Sequence, residues 1–222
     1  MSVLSVIIPT LNEADSLEAT LLALACNQTP HEVLVVDGGS SDGTPELARK
    51  HGARVFTSAY RQRGQQMNEG RTQAHGEILL FLHADTLVAP TALQSLTLAL
   101  RSPSVVGGGF ARRYSSSSRF LWMTCRLAEL RSRWLGWFLG DQAIFVTTPV
   151  FDALGGFQKM DTFEDLDFSR QMKKAGRVVT LRPPVISSPR RFTNEGPIRT
   201  TLADLWLTCR YLGISGSTKK RM

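Results

Sequence analysis

The chain has 222 residues, 42% of them hydrophobic and 20% charged, with a formal net charge of +7. That length can bury a large core in one domain, and the composition excludes a disordered chain. The basic excess suits an anionic partner (phosphates, nucleic acid or anionic lipid) without choosing among them.

In chain order, Val3 to Pro9 reads as a buried strand and Asn12 to Cys26 as a helix, with Leu17, Leu21, Leu22 and Leu24 at helical spacing. Asn12 suits its N-cap, and Glu13 and Asp15 suit its first turn. Val33 to Val36 is a second strand, closed by the Asp37–Gly43 turn; a helix over Thr44 to His51 and a strand over Ala53 to Thr57 follow. Gln65 to His75 reads as a helix, and Glu77 to Leu82 as the strand that ends in His83-Ala84-Asp85, with a new helix after Ala89-Pro90. Val105 to Tyr114 is a strand interrupted by Gly107-Gly108-Gly109, where a backbone or a ligand can come close. Helices are expected over Phe120 to Leu139, Glu164 to Ala175 and Ile198 to Leu212, and strands over Ala143 to Thr147 and Arg177 to Leu181. A basic tail, Lys219-Lys220-Arg221, closes the chain.

Unalternated Val/Leu/Ile runs are what strands covered on both faces look like. The order βαβαβαβ therefore points to an α/β fold with a doubly wound, mostly parallel central sheet flanked by helices. With no repeat or linker, one domain is expected over residues 1–222. Three well-separated cysteines, Cys26, Cys125 and Cys209, form no CxxC pair, which argues against a disulfide framework or a zinc site and fits a reducing cytosol. Met1-Ser2-Val3-Leu4-Ser5 does not resemble a signal peptide, and no apolar run approaches the about 18 residues of a spanning helix. A cytoplasmic chain is expected, at most peripheral to the inner face of a membrane.

No GxGxxG and no GxxxxGK[ST] loop occurs, so a dinucleotide-binding dehydrogenase and a P-loop enzyme are disfavoured. Asp85 stands just beyond a buried strand, where open α/β sheets place ligand chemistry, and suits a divalent metal that bridges an anionic substrate. Asp37, at the end of the second strand, can accept hydrogen bonds from a base N–H or ribose hydroxyl, or it can build an Asx-type turn.

Together, Ser5–Glu13, Val35–Thr44, His83-Ala84-Asp85, Gly140-Asp141-Gln142 and Glu164-Asp165-Leu166-Asp167 resemble family 2 glycosyltransferases, inverting enzymes of the GT-A fold that use nucleotide-diphosphate sugars. Arg63-Gly64-x-Gln66-Met67-Asn68 makes the chain most similar to a short soluble subgroup assigned to arsenosugar biosynthesis. The resemblance implies a donor half over residues 1–89 and an acceptor half over 90–222 with a C-terminal helix. It implies that Pro9, Thr10, Glu13 and Asp37 hold a uridine nucleotide and that Arg63 lies near the base and phosphates. Asp85 matches the last Asp of the family's Asp-x-Asp motif and should touch Mn²⁺ or Mg²⁺ and the diphosphate. The chain departs from that motif at His83, which can ligate the metal, bond a sugar hydroxyl or pack as a neutral side chain.

Asp165 matches the base that takes the acceptor's proton; its place in a first-turn acidic cluster with Glu164 and Asp167 is the competing, structural reading. Arg190 or Arg191 can meet leaving-group charge, Arg191-Phe192 resembling the end of the family's QxxRW motif with Phe for Trp and no matching Gln. Asp141 and Gln142 are candidates for the acceptor's hydroxyls. The Trp122–Trp137 segment is a packed helix, an acceptor wall or a membrane-facing surface.

Transfer of a sugar to a small-molecule or lipid-linked acceptor, with no nucleic-acid partner, is the leading expectation; a peripheral membrane contact and a homodimer are compatible with it. A sugar-nucleotide-forming nucleotidyltransferase would need a Gly-rich basic loop after the first strand, which Pro9–Glu13 lacks. A non-catalytic basic surface binder, with Arg112, Arg113, Arg119, Arg126, Arg131 and Arg133 on one face, would leave the strand-end carboxylates unexplained.

Overall fold

The computed structural model describes residues 4–217; Met1–Val3 and the basic Lys219-Lys220-Arg221 end lie outside the described residues. Strand β1 (Leu4–Thr10) is buried at all seven positions, so it has no polar face to alternate. Helix α1 (Ala14–Ala25), strand β2 (Glu32–Asp37), helix α2 (Thr44–Lys50), strand β3 (Arg54–Thr57), helix α3 (Arg63–Gln73) and strand β4 (Ile78–Phe81) follow in the expected alternation. Then come β5 (Thr86–Leu87), α4 (Ala92–Ala99), β6 (Val105–Tyr114), α5 (Arg119–Leu135), a 3₁₀ turn at Gly140–Gln142, β7 (Ile144–Thr147) and α6 (Thr148–Ala153). The chain continues through α7 (Glu164–Ala175), β8 (Arg177–Ser187), α8 (Arg190–Glu195) and α9 (Pro197–Ser217).

The strands form one sheet in the order β3-β2-β1-β4-β7-β6-β8-β5. The class is α/β with a mostly parallel central sheet flanked by helices, as expected; the strands that run against their neighbours are β5 and β7. β1 pairs in parallel with β2 and β4, β2 with β3, and β6 with β8, while β7 is antiparallel to both β4 and β6, and β5 to β8. The reversal of β7 positions the site. An antiparallel strand starts where its neighbour ends, so Ile144 lies opposite Phe81, and the Gly140–Gln142 turn arrives at the carboxyl end of β4.

Two apolar clusters cover the sheet's faces, one around Val6, Ile8, Leu17, Leu80 and Phe145, the other around Ile7, Leu34, Phe81, Phe151 and Phe168. Gly107–Gly109 do not break β6; a Cβ at each would overlap β7, β8 or Phe138, so the close neighbour is protein. Asn12 is not the N-cap of α1. It takes φ +55°, Glu13 stands at the cap, and Asn12 Oδ1 accepts from Ser41 N instead, joining the loops after β1 and β2. α5 stops at Leu135, short of the expected Leu139, because Gly136 takes the left-handed C-terminal conformation.

Candidate active site

The carboxyl ends of β1 and β2 are held together by their own side chains. Thr10 and Asp37 are register partners, and the Thr10 hydroxyl donates to Asp37 Oδ1 at 3.0 Å. Asp37, 2% exposed, also accepts from Gly39 N at 2.9 Å, Ser40 N at 2.8 Å and the Ser40 hydroxyl. Its carboxylate builds the Asx-type turn, and a nucleotide base would compete with the Ser40 hydroxyl for Oδ1. Pro9 is buried beside Thr10, and Glu13 reaches across to Arg190, whose Nη2 lies 2.9 Å from its carboxylate.

The Arg63–Asn68 run opens α3, and most of its specified residues do structural work. Gln66 Nε2 donates to the carbonyls of Thr10 (2.8 Å) and Val36 (3.0 Å), pinning the ends of β1 and β2. Asn68 clamps the Phe157 backbone with two hydrogen bonds, at 2.8 and 2.9 Å. Gly64 lets α7 approach, since a Cβ there would lie 3.0 Å from Glu164 Cγ. Met67 joins the core.

Arg63 points the other way, into the site. Its Nη2 is 2.6 Å from Glu164 Oε1 and 3.5 Å from Asp165 Oδ2, and Nη1 donates to His83 Nε2 at 3.2 Å. Glu164 and Asp165 begin α7 and are only 3% and 5% exposed. Asp165 is fixed at both oxygens: Oδ2 accepts from Gly140 N and Oδ1 from Leu166 N, each at 2.6 Å. A Cβ at Gly140 would overlap His83 Nε2, so glycine lets the 3₁₀ turn close over the His83-Ala84-Asp85 end of β4.

The electrostatics follow from this enclosure. Burial, aided by the Arg63 charge, pushes the His83 pKa down to about 3. The imidazole is therefore neutral, and because a guanidinium only donates, Nε2 accepts and Nδ1 carries the proton. Burial raises the Glu164 pKa against the pull of Arg63, and the nearby Asp165 charge adds to the rise. Burial likewise raises that of Asp85, opposed by Arg190 and Arg63.

Among the described residues, the Asp85 side chain accepts only the Thr86 hydroxyl, at 3.5 Å, and so retains free acceptor capacity. No cluster of three or more His, Cys, Asp or Glu able to hold a metal occurs among the described residues. A single half-buried carboxylate with free lone pairs still fits a cation that arrives with a diphosphate, since such ions take one or two protein carboxylates plus phosphate oxygens.

The remaining expected residues sort differently. Asp141 bonds Arg112 and the Tyr114 hydroxyl, while its buried Oδ1, like Arg112 Nε, has no hydrogen-bond partner among the described residues. Gln142 is fully buried, with its amide bonded to Arg131, Leu139 N and the Phe110 carbonyl. Arg191 pairs with Asp204 on α9 at 2.7 Å. Its neighbour Arg190 is the one tied to Glu13 and felt by Asp85. Half-buried Arg131, its pKa lowered to about 10 by burial and by Arg112, is expected from sequence only as one arginine of a basic helix face, whereas its guanidinium turns inward to Gln142 and the Trp137 carbonyl.

The sequence profile of Glycosyl transferase family 2 matches residues 5–166. Glycosyltransferase AglE of Haloferax volcanii is 41% identical over 95 residues, a stretch covering 36% of this chain and 30% of that protein. Among solved structures, the mannosyltransferase PcManGT from Pyrobaculum calidifontis, in complex with GDP-Man and Mn²⁺, superposes with a TM-score of 0.66 and 26% identity over 84% of this chain and 56% of its own. S. aureus TarS in complex with UDP-GlcNAc shares the fold, with a TM-score of 0.66 and 19% identity over 85% of this chain and 58% of its own. These neighbours are GT-A glycosyltransferases, and this chain has that fold. It spans about a third of the length of the curated relatives it matches.

Proposed function

The chain belongs to glycosyl transferase family 2, and from that premise we propose that it transfers a sugar from a UDP-linked donor to an acceptor hydroxyl with inversion at the anomeric carbon. The observation that carries this reading is the Arg63 contact set, which joins His83 at the end of β4 to Glu164 and Asp165 at the start of α7. In one domain over residues 1–222, the donor-side half would thus meet the acceptor-side half at a buried carboxylate. The Arg63–Asn68 run and Gly140-Asp141-Gln142 support a place in the arsenosugar-type subgroup.

The acceptor oxygen attacks the anomeric carbon as the bond to the diphosphate oxygen breaks, and Asp165 takes the acceptor's proton. The N–H groups of Gly140 and Leu166 hold its rotamer without consuming every lone pair. Arg63 and Arg190 meet the charge that the diphosphate gains on leaving. Arg63 turns from Glu164 and Asp165 to do so, which frees the Asp165 Oδ2 edge for the acceptor once the donor is seated. Asp85 would hold Mn²⁺ or Mg²⁺, whose charge offsets that of the diphosphate. His83 can join it only after Arg63 releases Nε2. Asp141 Oδ1, unpaired but buried, can accept a hydroxyl of the incoming molecule, small or lipid-linked, only after the Arg112 and Tyr114 side chains around it shift.

A thermal-shift panel of UDP-sugars and GDP-mannose, with Mn²⁺ or with EDTA, tests the reading. Ligand at 100 times its Kd stabilises by about 2.7 kcal/mol, so a UDP-sugar should raise Tm by several degrees in a metal-dependent way. In Asp85→Asn the metal dependence should disappear and transfer should fall steeply. A panel in which no nucleotide sugar shifts Tm would refute the donor; a mutant with full, metal-dependent transfer would refute the role of Asp85.

A further inference from the structure

Helix α5 turns Leu121, Cys125, Ala128 and Ser132 toward the sheet, and its opposite face is exposed. That face carries Trp122, Met123, Leu127, Leu130 and Trp134, the two tryptophans being 62% and 81% exposed. At 3.6 residues per turn these side chains share one side of the helix. Arg119, Arg126 and Arg133, spaced by heptads, run along the same side and are also exposed. The helix has a single acid, Glu129, which lies beneath this face at 7% exposure, bonded by Arg126, Arg133 and Arg182. A small pocket of about 40 Å³ opens beside Trp122, its charged lining being Arg112, Arg113, Arg126 and Arg182 against Glu129. The surface is thus apolar and positive together, and α5 exposes no acid.

We propose that this face of α5 docks the protein on an anionic lipid surface, with the tryptophans and leucines in the headgroup boundary and the arginines on lipid phosphates. Charge complementarity selects the occupant. A second copy of the chain, packed two-fold on the same face, would set the Arg119–Arg126–Arg133 row against itself, with only the buried Glu129, already shared among Arg126, Arg133 and Arg182, to offset it. A nucleic-acid backbone would meet the arginines but leave Leu127, Leu130 and Trp134 facing water. A bilayer interface accepts both kinds of group, and basic amphipathic helices with Trp and Leu on one side lie in it. Such docking needs no spanning segment, and no helix among the described residues is long and apolar enough to cross a membrane. The proposal stands independently of the sugar-transfer reading.

Sedimentation of the full chain with vesicles of phosphatidylcholine alone, and of phosphatidylcholine with phosphatidylglycerol, tests it. The protein should bind the anionic vesicles, and Arg119→Gln should weaken the partition by about five-fold. The double variant Trp122→Ser/Trp134→Ser should weaken it by at least about ten-fold while keeping the wild-type Tm, since both side chains are mostly in water. No binding to anionic vesicles, or undiminished binding by the double variant, would overturn the proposal. So would a wild-type dimer that the double variant breaks into monomers, because the face would then belong to a second copy.

Discussion

Arg63 pairs with two buried carboxylates and donates to a neutral imidazole through one guanidinium, so its removal disturbs three partners in the site at once. Arg63→Gln leaves Glu164, 3% exposed, without its cation. Breaking a buried pair costs about 3–5 kcal/mol; because the Arg63 side chain is 40% exposed, a loss nearer about 2 kcal/mol is expected by chemical denaturation. Nucleotide affinity should fall as well, because in the proposed transfer the same group meets the diphosphate. A variant with wild-type stability would show that the pair with Glu164 is energetically idle. Sequence alone brought out Arg63, but through resemblance to a phosphate-side basic residue; its carboxylate partners Glu164 and Asp165 lie 101 and 102 positions away, where no local pattern points. The double engagement of Asp37 was legible as two competing readings, and the turn geometry is the one visible here.

At the scale of elements, the site depends on the 3₁₀ turn at Gly140–Gln142 closing against β4. Gly140→Ala forces a methyl into His83 Nε2 and pushes the turn away, withdrawing the N–H that holds Asp165. Overpacking of this kind costs about 1–3 kcal/mol, and turnover should drop with it; unchanged Tm and turnover would mean that the turn does not position Asp165. At the opposite end of the sheet, Glu32 ties β2 to β1 and β3 through Ser5 and Arg54, with His75 alongside. Burial works to raise the Glu32 pKa, but the bonds from Ser5, His75 and Arg54 outweigh it and lower the value from 4.5 to about 2. A depressed carboxyl contributes stability above its unfolded pKa and loses it on acidification, here between pH 4.5 and about 2. Glu32→Gln should therefore lose about 1–2 kcal/mol at neutral pH and flatten the stability profile in that window, as a denaturation series across pH would show. Most strands and helices of the first half were legible because buried parallel strands and amphipathic helices differ in period. The direction of β7 was not, since an apolar run such as Ile144-Phe145-Val146 reads alike in either orientation, and that direction delivers Asp141 and Asp165's partner to the site.

Across the whole molecule, residues on both sides of position 90 converge at the carboxyl ends of β1, β2 and β4, and the excess positive charge is distributed rather than concentrated there. Arg63 and Arg190 pair with the carboxylates of Glu164 and Glu13, while Arg119, Arg126 and Arg133 line the outside of α5. The +7 charge thus announced anionic partners without dividing itself between them. The central claim, that Asp165 is the base of a sugar transfer, meets a constraint invisible in sequence: both its oxygens accept peptide N–H bonds, and an Asn can keep only one of them. Asp165→Asn should therefore lose about 1–3 kcal/mol of stability in addition to activity, so Tm alone cannot separate the base from a helix-start cap. The single-turnover rate of UDP release from the bound UDP-sugar can, if measured beside donor affinity at a temperature where the variant is fully folded. Donor affinity near wild type with a rate lowered about 10²–10⁴-fold is the predicted result; equal affinity with an undiminished rate would contradict it and leave Asp165 as structure alone.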